Sequence, residues 1–162
     1  MKIRCLAHTP AETSLMSQSP VKILVVGCGH MGKSHAKAYH AMDGFEIVGL
    51  VSRGEKSRQE LLEILDADYP QFSNYEEALA ATKPDAVSIN TYPDTHADYT
   101  KKAFAAGCHV FLEKPISNTV EEAQEIVDAA IDENVETGVK FGFSECLSVM
   151  GKSGNDHCPR AV

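Results

Sequence analysis

Three glycines, Gly27, Gly29 and Gly32, stand in the spacing G-x-G-x-x-G directly after an apolar, β-branched run from Ile23 to Val26. Such a turn, closing a buried strand and opening a helix, is suited to cradle a diphosphate. Gly27 permits the tight exit from the strand. Gly29 lacks a Cβ, so an anion can approach the backbone, and Gly32 lets the helix press on the sheet. His30 and Met31 fall in the first helical turn, whose amides have no intrahelical partner and point at the anion along the helix dipole. The spacing therefore predicts dinucleotide binding. Glycine-rich turns of methyltransferases and plain structural bends share it, so the turn alone leaves those readings open.

A second group of residues bears on which dinucleotide. The residue about 20 positions past the last motif glycine ordinarily meets the adenosine ribose. Here that position is Ser52, followed by Arg53. An Asp or Glu would accept hydrogen bonds from a free 2′-hydroxyl and repel a 2′-phosphate. Ser52 cannot repel, and the Arg53 guanidinium offers a planar fork suited to phosphate, with Lys56 and Arg58 adding positive charge. The expectation is NADP(H) over NAD(H); the competing reading is a solvated basic helix start.

Hydride exchange with a secondary alcohol also needs a group to take or give the hydroxyl proton. Lys114 is the candidate, because it leaves the end of the apolar strand His109-Val110-Phe111-Leu112 and is flanked by Glu113 and Pro115. A partly desolvated lysine there can act as a base, and its charged form steadies a developing alkoxide. Pro115 is a candidate cis peptide that aims the side chain. Read in isolation, Glu113 and Lys114 equally suit a solvated charge pair before a proline turn. His96 is a second catalytic candidate, placed to line the pocket, against the commoner structural role of a histidine near a helix start. Asn90, Thr91 and Pro93 sit where a loop should cover the diphosphate and nicotinamide, and Tyr92 is placed either to stack or to pack. His30, His35, His40 and His109 show no usable partner spacing.

These residues must be positioned by alternating strands and helices. Met31, His35, Ala38, Tyr39 and Met42 recur at helical spacing and predict a sheet-facing stripe, with Gly44 closing that helix. A strand over Phe45 to Val51 follows, then a turn at Ser52 to Gly54 and a helix with Leu61, Leu62 and Leu65 on its apolar face. Phe72 marks a short third strand, and Asn74 with Glu77 predicts an N-cap for a helix through Leu79. Ala86 to Ile89 is the fourth strand. A helix from about Asp94 to Ala106 closes at Gly107, a good left-handed cap. After the fifth strand at His109, Thr119 and Glu122 predict a capping box for a helix with Val120, Ala123, Ile126, Val127, Ala130 and Ile131 as its stripe. Thr137 to Phe143 suits a sixth strand. The pattern is that of an α/β doubly wound parallel sheet, whose ligands sit beyond the carboxyl ends of the strands. The candidate chemistry follows strands one, two, four and five.

Composition narrows the partners. The chain has 162 residues, 43% hydrophobic and 23% charged, which suits about one soluble domain. A formal net charge of -8 argues against nucleic acid or an anionic membrane as the main partner. No apolar run approaches the roughly 18 residues that span a bilayer, and Met1 to Pro20 forms a polar extension without a secretory apolar region. The five cysteines are odd in number and lack a C-x-x-C pair, so a disulfide framework or metal site is not expected and a reducing cytoplasm is. Cys146, His157 and Cys158 match no standard ligand spacing.

Taken together, Gly27-x-Gly-x-x-Gly32, then Thr91-Tyr92-Pro93-Asp94-Thr95-His96, then Ala106-Gly107-Cys108-His109-Val110-Phe111-Leu112-Glu113-Lys114-Pro115, resemble the Gfo/Idh/MocA oxidoreductases, from about Val21 to Ile131. The resemblance implies an NAD(P)-binding Rossmann domain over 21–143 and a catalytic role for Lys114 in the E-K-P motif. It further implies that Glu113 and Pro115 shape the cofactor pocket, that His96 lies near the nicotinamide, and that the substrate is a sugar, cyclitol or related polyol. Members of that family continue into a second α/β domain carrying most substrate contacts and usually the oligomer interface, which leaves a homo-oligomer open here. Residues 144–162 show neither periodicity nor that continuation, which would fit a truncated or alternatively ended product. Two functions follow from the sequence: an oxidoreductase represented by its cofactor domain, or an NADP(H)-binding module without turnover.

Overall fold

The computed structural model describes residues 19–132 and 137–139. Most of the polar extension Met1 to Pro20, the end of the expected sixth strand, the tail over 144–162 and the group Cys146, His157 and Cys158 lie outside the described residues. Among the described residues six parallel strands form one sheet: β1 (Val21–Val26), β2 (Phe45–Val51), β3 (Gln71–Phe72), β4 (Ala86–Ile89), β5 (His109–Leu112) and β6 (Thr137–Val139). Their order is β3-β2-β1-β4-β5-β6, so the chain winds outward in both directions from β1. The connections are α1 (His30–His40), α2 (Glu55–Leu65), α3 (Tyr75–Thr82), α4 (His96–Ala105) and α5 (Val120–Asp132).

The unbroken apolar run of β1 follows from helices on both faces, because successive side chains leave a strand in opposite directions. Ile23 and Val25 join Ala36, Tyr39, Leu50, Leu61 and Leu65 under α1 and α2. Leu24 and Val26 join Ala78, Val87, Ala103, Phe104 and Ile126 under α3, α4 and α5. The side chains of Ile23, Leu24, Val25 and Val26 are at most 1% exposed.

The expected caps form. The Asn74 side chain accepts the Glu77 N–H at 2.9 Å and starts α3. Thr119 Oγ1 accepts the Glu122 N–H at 3.2 Å before α5, and Gly107 takes a φ of +74° after α4. Several expectations are corrected. On α1 the buried face is Gly32, His35, Ala36 and Tyr39, while Ala38 is exposed. That helix ends at His40, before Gly44, whose carbonyl instead accepts the Val21 N–H at 2.9 Å. The first turn of the expected helix from Asp94 is a 3-10 turn over Pro93–Thr95. On α5, Ile126 inserts into the core, but Val120, Val127 and Ile131 are 79%, 45% and 71% exposed. Among the described residues this helix leans mainly on α4, so a narrower strip is covered than its stripe allows. No helix among the described residues is long and apolar enough to cross a membrane.

Packing of α1 on the sheet depends on Gly32. A Cβ there would stand 1.7 Å from the Gly27 carbonyl oxygen, a backbone atom that cannot swing aside. Gly32→Ala is therefore expected to lower stability by about 3 kcal/mol, at the upper end for overpacked sites. Asn74→Ala should cost only about 1 kcal/mol, as for a lost N-cap. Urea unfolding monitored by circular dichroism compares the two, and equal midpoints would contradict the assignment.

Candidate nucleotide and catalytic site

The parallel ladder runs one residue past the strands, and this sets the site loops in register. Gly27 N–H donates to Val51 O at 2.8 Å, Ser52 N–H to Phe72 O at 3.1 Å, Asn90 N–H to Val26 O at 2.7 Å, and Glu113 N–H to Ile89 O at 3.0 Å. The exits of β1, β2, β4 and β5 thus leave the carboxyl edge together, on either side of the point between β1 and β4 where the winding reverses. In doubly wound sheets this crevice takes the ligand.

At the β1 exit, Gly27 has a φ of +93°, and a Cβ on it would meet the Asn90 carbonyl oxygen at 2.6 Å. Gly29 caps α1, and a Cβ added there would meet nothing within 4 Å. The turn is closed on the protein side and open on the solvent side. Among the described residues no side chain caps the α1 N-terminus, and its first turn carries no acidic residue. His30 is exposed and Met31 half-buried in that turn. Open amides, a bare Gly29 and no competing carboxylate suit a bound diphosphate. Cys28, between them, is turned inward toward the Val51 carbonyl at 3.6 Å. Burial pushes its thiol up to about 11, against the opposing pull of Arg58 and Lys33, so it is a packing group and not a nucleophile.

At the β2 exit Ser52 is half-buried and Arg53 exposed. Arg58 turns back from α2, and its Nη1 donates to the Ser52 carbonyl, while its Nε is buried without a hydrogen-bond partner among the described residues. Lys56 lies 3.9 Å from Glu60, which also takes Lys33 at 2.6 Å. The hydrogen bond from Lys33 holds the Glu60 carboxyl below its usual range. Part of the basic cluster is therefore neutralised within the protein, and Arg53 keeps its exposed position.

At the β4 exit the Asn90 amide turns inward and donates to the Ser88 carbonyl at 3.0 Å and the Ser88 hydroxyl at 3.1 Å. Thr91 and Thr95 share a hydroxyl hydrogen bond of 2.7 Å across the loop. Pro93 opens the 3-10 turn, and Tyr92 is 76% exposed, so its ring does not pack. His96 is fully buried. Its Nδ1 faces the Pro115 carbonyl at 2.9 Å and its Nε2 the Thr91 carbonyl at 3.1 Å, so the imidazole joins the β4 loop to the β5 loop. In this position it holds the loops rather than lining an open pocket.

At the β5 exit Lys114 and Pro115 are exposed and joined by a cis peptide bond. The exposure of Lys114 corrects the expectation of a partly desolvated lysine, and among the described residues its ammonium forms no charge pair with Glu113 either. Glu113 is instead 4% exposed, with Oε1 at 2.6 Å from His35 Nε2 on α1. That contact was beyond the sequence, because it joins residues 78 positions apart. Tyr39, a turn further on, donates to the Ser88 hydroxyl at 3.3 Å. The signal that could have been read is a histidine and a tyrosine inside an otherwise apolar helix stripe, since buried polar groups are hydrogen-bonded. Among the described residues no group of three or more His, Cys, Asp or Glu side chains could hold a metal ion.

Comparison with known proteins matches this arrangement. The sequence model of the oxidoreductase family with an NAD-binding Rossmann fold, GFO_IDH_MocA, covers residues 21–141. The chain is 34% identical over 121 residues to D-glucoside 3-dehydrogenase of Escherichia coli K12, covering 72% of this chain and 33% of that protein. It is 35% identical over 112 residues to inositol 2-dehydrogenase of Agrobacterium fabrum, covering 68% and 33%. The chain thus spans about a third of the length of these curated relatives. Scyllo-inositol dehydrogenase from Lactobacillus casei, solved with NAD(H) and scyllo-inositol, shares the fold with a TM-score of 0.70 at 24% identity, over 75% of this chain and 36% of that one. With the glycine turn, the strand order and the E-K-P exit all in place, the chain belongs to the Gfo/Idh/MocA oxidoreductases, and residues 21–141 match their NAD-binding Rossmann domain.

Proposed function

We propose that the chain binds a nicotinamide dinucleotide along the carboxyl edge of the sheet, NADP(H) in preference to NAD(H), and serves hydride transfer with a sugar, cyclitol or related polyol. The observation that carries this is the open cradle at Gly29 on the same edge as the exposed Lys114. Gly27, Gly29, His30, Met31 and Gly32 hold the diphosphate through backbone amides. Ser52 and Arg53 meet the adenosine ribose, with Arg53 as the fork for a 2′-phosphate. Asn90, Thr91, Tyr92 and Pro93 border the nicotinamide half, together with Glu113, Lys114 and Pro115, while His96 locks their loops. When bound, the nicotinamide supplies the site that takes or gives the hydride. Lys114 Nζ takes the substrate hydroxyl proton in oxidation and returns it in reduction. The two named relatives act, by their names, on a glucoside and on inositol, which supports the polyol class.

Fluorescence titration is expected to give NADPH an affinity about tenfold above NADH, the scale of one well-placed charged contact. Arg53→Ala should bring the two affinities together. Equal affinities in the unaltered chain would remove the NADP(H) preference. Lys114→Ala should lower any turnover of NADP+ with a panel of polyols by at least about 100-fold, as for a lost general base. Binding without turnover in the unaltered chain would favour the module that holds nucleotide without catalysis.

A further inference from the structure

The buried contact between α1 and the β5 exit does more than fill space. Glu113 uses its two carboxylate oxygens separately. Oε1 receives the His35 Nε2–H at 2.6 Å, and Oε2 accepts the backbone N–H of Lys114 at 3.2 Å. His35 itself is held between rings, with centroids 5.0 Å from Phe111 and 6.3 Å from Tyr39. It stands three residues past Gly32, one turn along the helix whose N-terminus faces the diphosphate cradle. From the other side, His96 reaches the Pro115 carbonyl at 2.9 Å. The backbone on both sides of the Lys114 Cα is therefore tied to buried histidines of two different helices.

We propose that His35 is a positioning residue: through Glu113 it fixes the backbone of Lys114, so the helix that meets the diphosphate also sets where the ammonium stands. A short hydrogen bond to a carboxylate in a water-poor site is strong and directional. Removing the His35 donor takes the 2.6 Å bond from Oε1, and a carboxylate that turns in response withdraws Oε2 from the Lys114 amide. The nicotinamide half of the ligand would then be held less well, while the adenosine half, bound elsewhere along the edge, would not notice. This rests on the nucleotide reading above.

The test compares His35→Phe, which keeps a flat ring and loses the donor, with His35→Gln, whose amide N–H reaches the place of Nε2. The chain contains no tryptophan, so NADPH fluorescence is read without an indole background. In His35→Phe the affinity for NADPH is expected to fall about tenfold, while that for 2′-phospho-ADP-ribose, which lacks the nicotinamide, stays within about twofold. His35→Gln should recover NADPH binding to within about threefold of the unaltered chain. Hydrogen exchange should show the Lys114 amide opening about tenfold faster in His35→Phe, with the α1 amides unchanged. Equal losses for both ligands, or an unchanged Lys114 amide, would overturn the tether. Binding of neither nucleotide by the unaltered chain would overturn the nucleotide reading, and the exchange rate would still decide the tether. If His35→Phe does not fold, Glu113→Gln takes its place and should loosen the Lys114 amide about threefold, because the bonds lose their charge.

Discussion

The contact on which the rest depends is that of Gly32 with the carbonyl of Gly27. With only 1.7 Å between that oxygen and a Cβ at Gly32, any side chain would push α1 off the sheet. The closeness of the helix then determines much else. It carries Ala36 and Tyr39 into the core beside Ile23 and Val25, and it brings His35 within 2.6 Å of Glu113. A shift of about an ångström would break that bond, since hydrogen bonds weaken steeply beyond their usual distances.

Charge follows a similar economy along the sheet edge. The chain as a whole is acidic, at -8, yet the helix end at Gly29 carries no carboxylate in its first turn. An anion there would be attracted by oriented amides and not by net charge. At the β2 exit the positive side chains are sorted by the fold: Arg58 is turned onto Ser52, Lys33 and Lys56 are drawn to Glu60, and Arg53 faces outward. At the β5 exit the carboxylate is buried and the ammonium exposed, although the two residues are neighbours in sequence. One charge serves to fix the loop and the other is presented.

The two histidines of this edge divide the work of a clamp. His35 reaches the β5 exit through the side chain of Glu113, and His96 reaches it through the backbone of Pro115. Because His96 also faces the carbonyl of Thr91, the loops after β4 and β5 are joined, and their spacing is set by one rigid ring. A site built in this way gains its order from buried groups, which leaves the exposed face to Tyr92, Arg53 and Lys114.

Much of this was legible in the sequence. Periodicity and punctuation gave the alternation of strands and helices, because a strand buried on both faces must be apolar throughout, as Ile23 to Val26 is, and because Asn74, Gly107 and Thr119 have local reasons to stand where they do. The glycine spacing gave the tight turn between β1 and α1, and the E-K-P run gave the place of Lys114 at the end of β5, since each depends on a few adjacent residues; the exposure of that lysine did not follow from them. What only the tertiary structure decided are the contacts between residues distant in the chain. The sequence could not say that His35 meets Glu113, that His96 is buried between two carbonyls, or that Arg58 turns onto Ser52, because a side chain's partner depends on which helix packs over which strand and how closely. The stripe on α5 marks the same boundary: the residues showed an apolar face, and only the packing determined how much of it is covered.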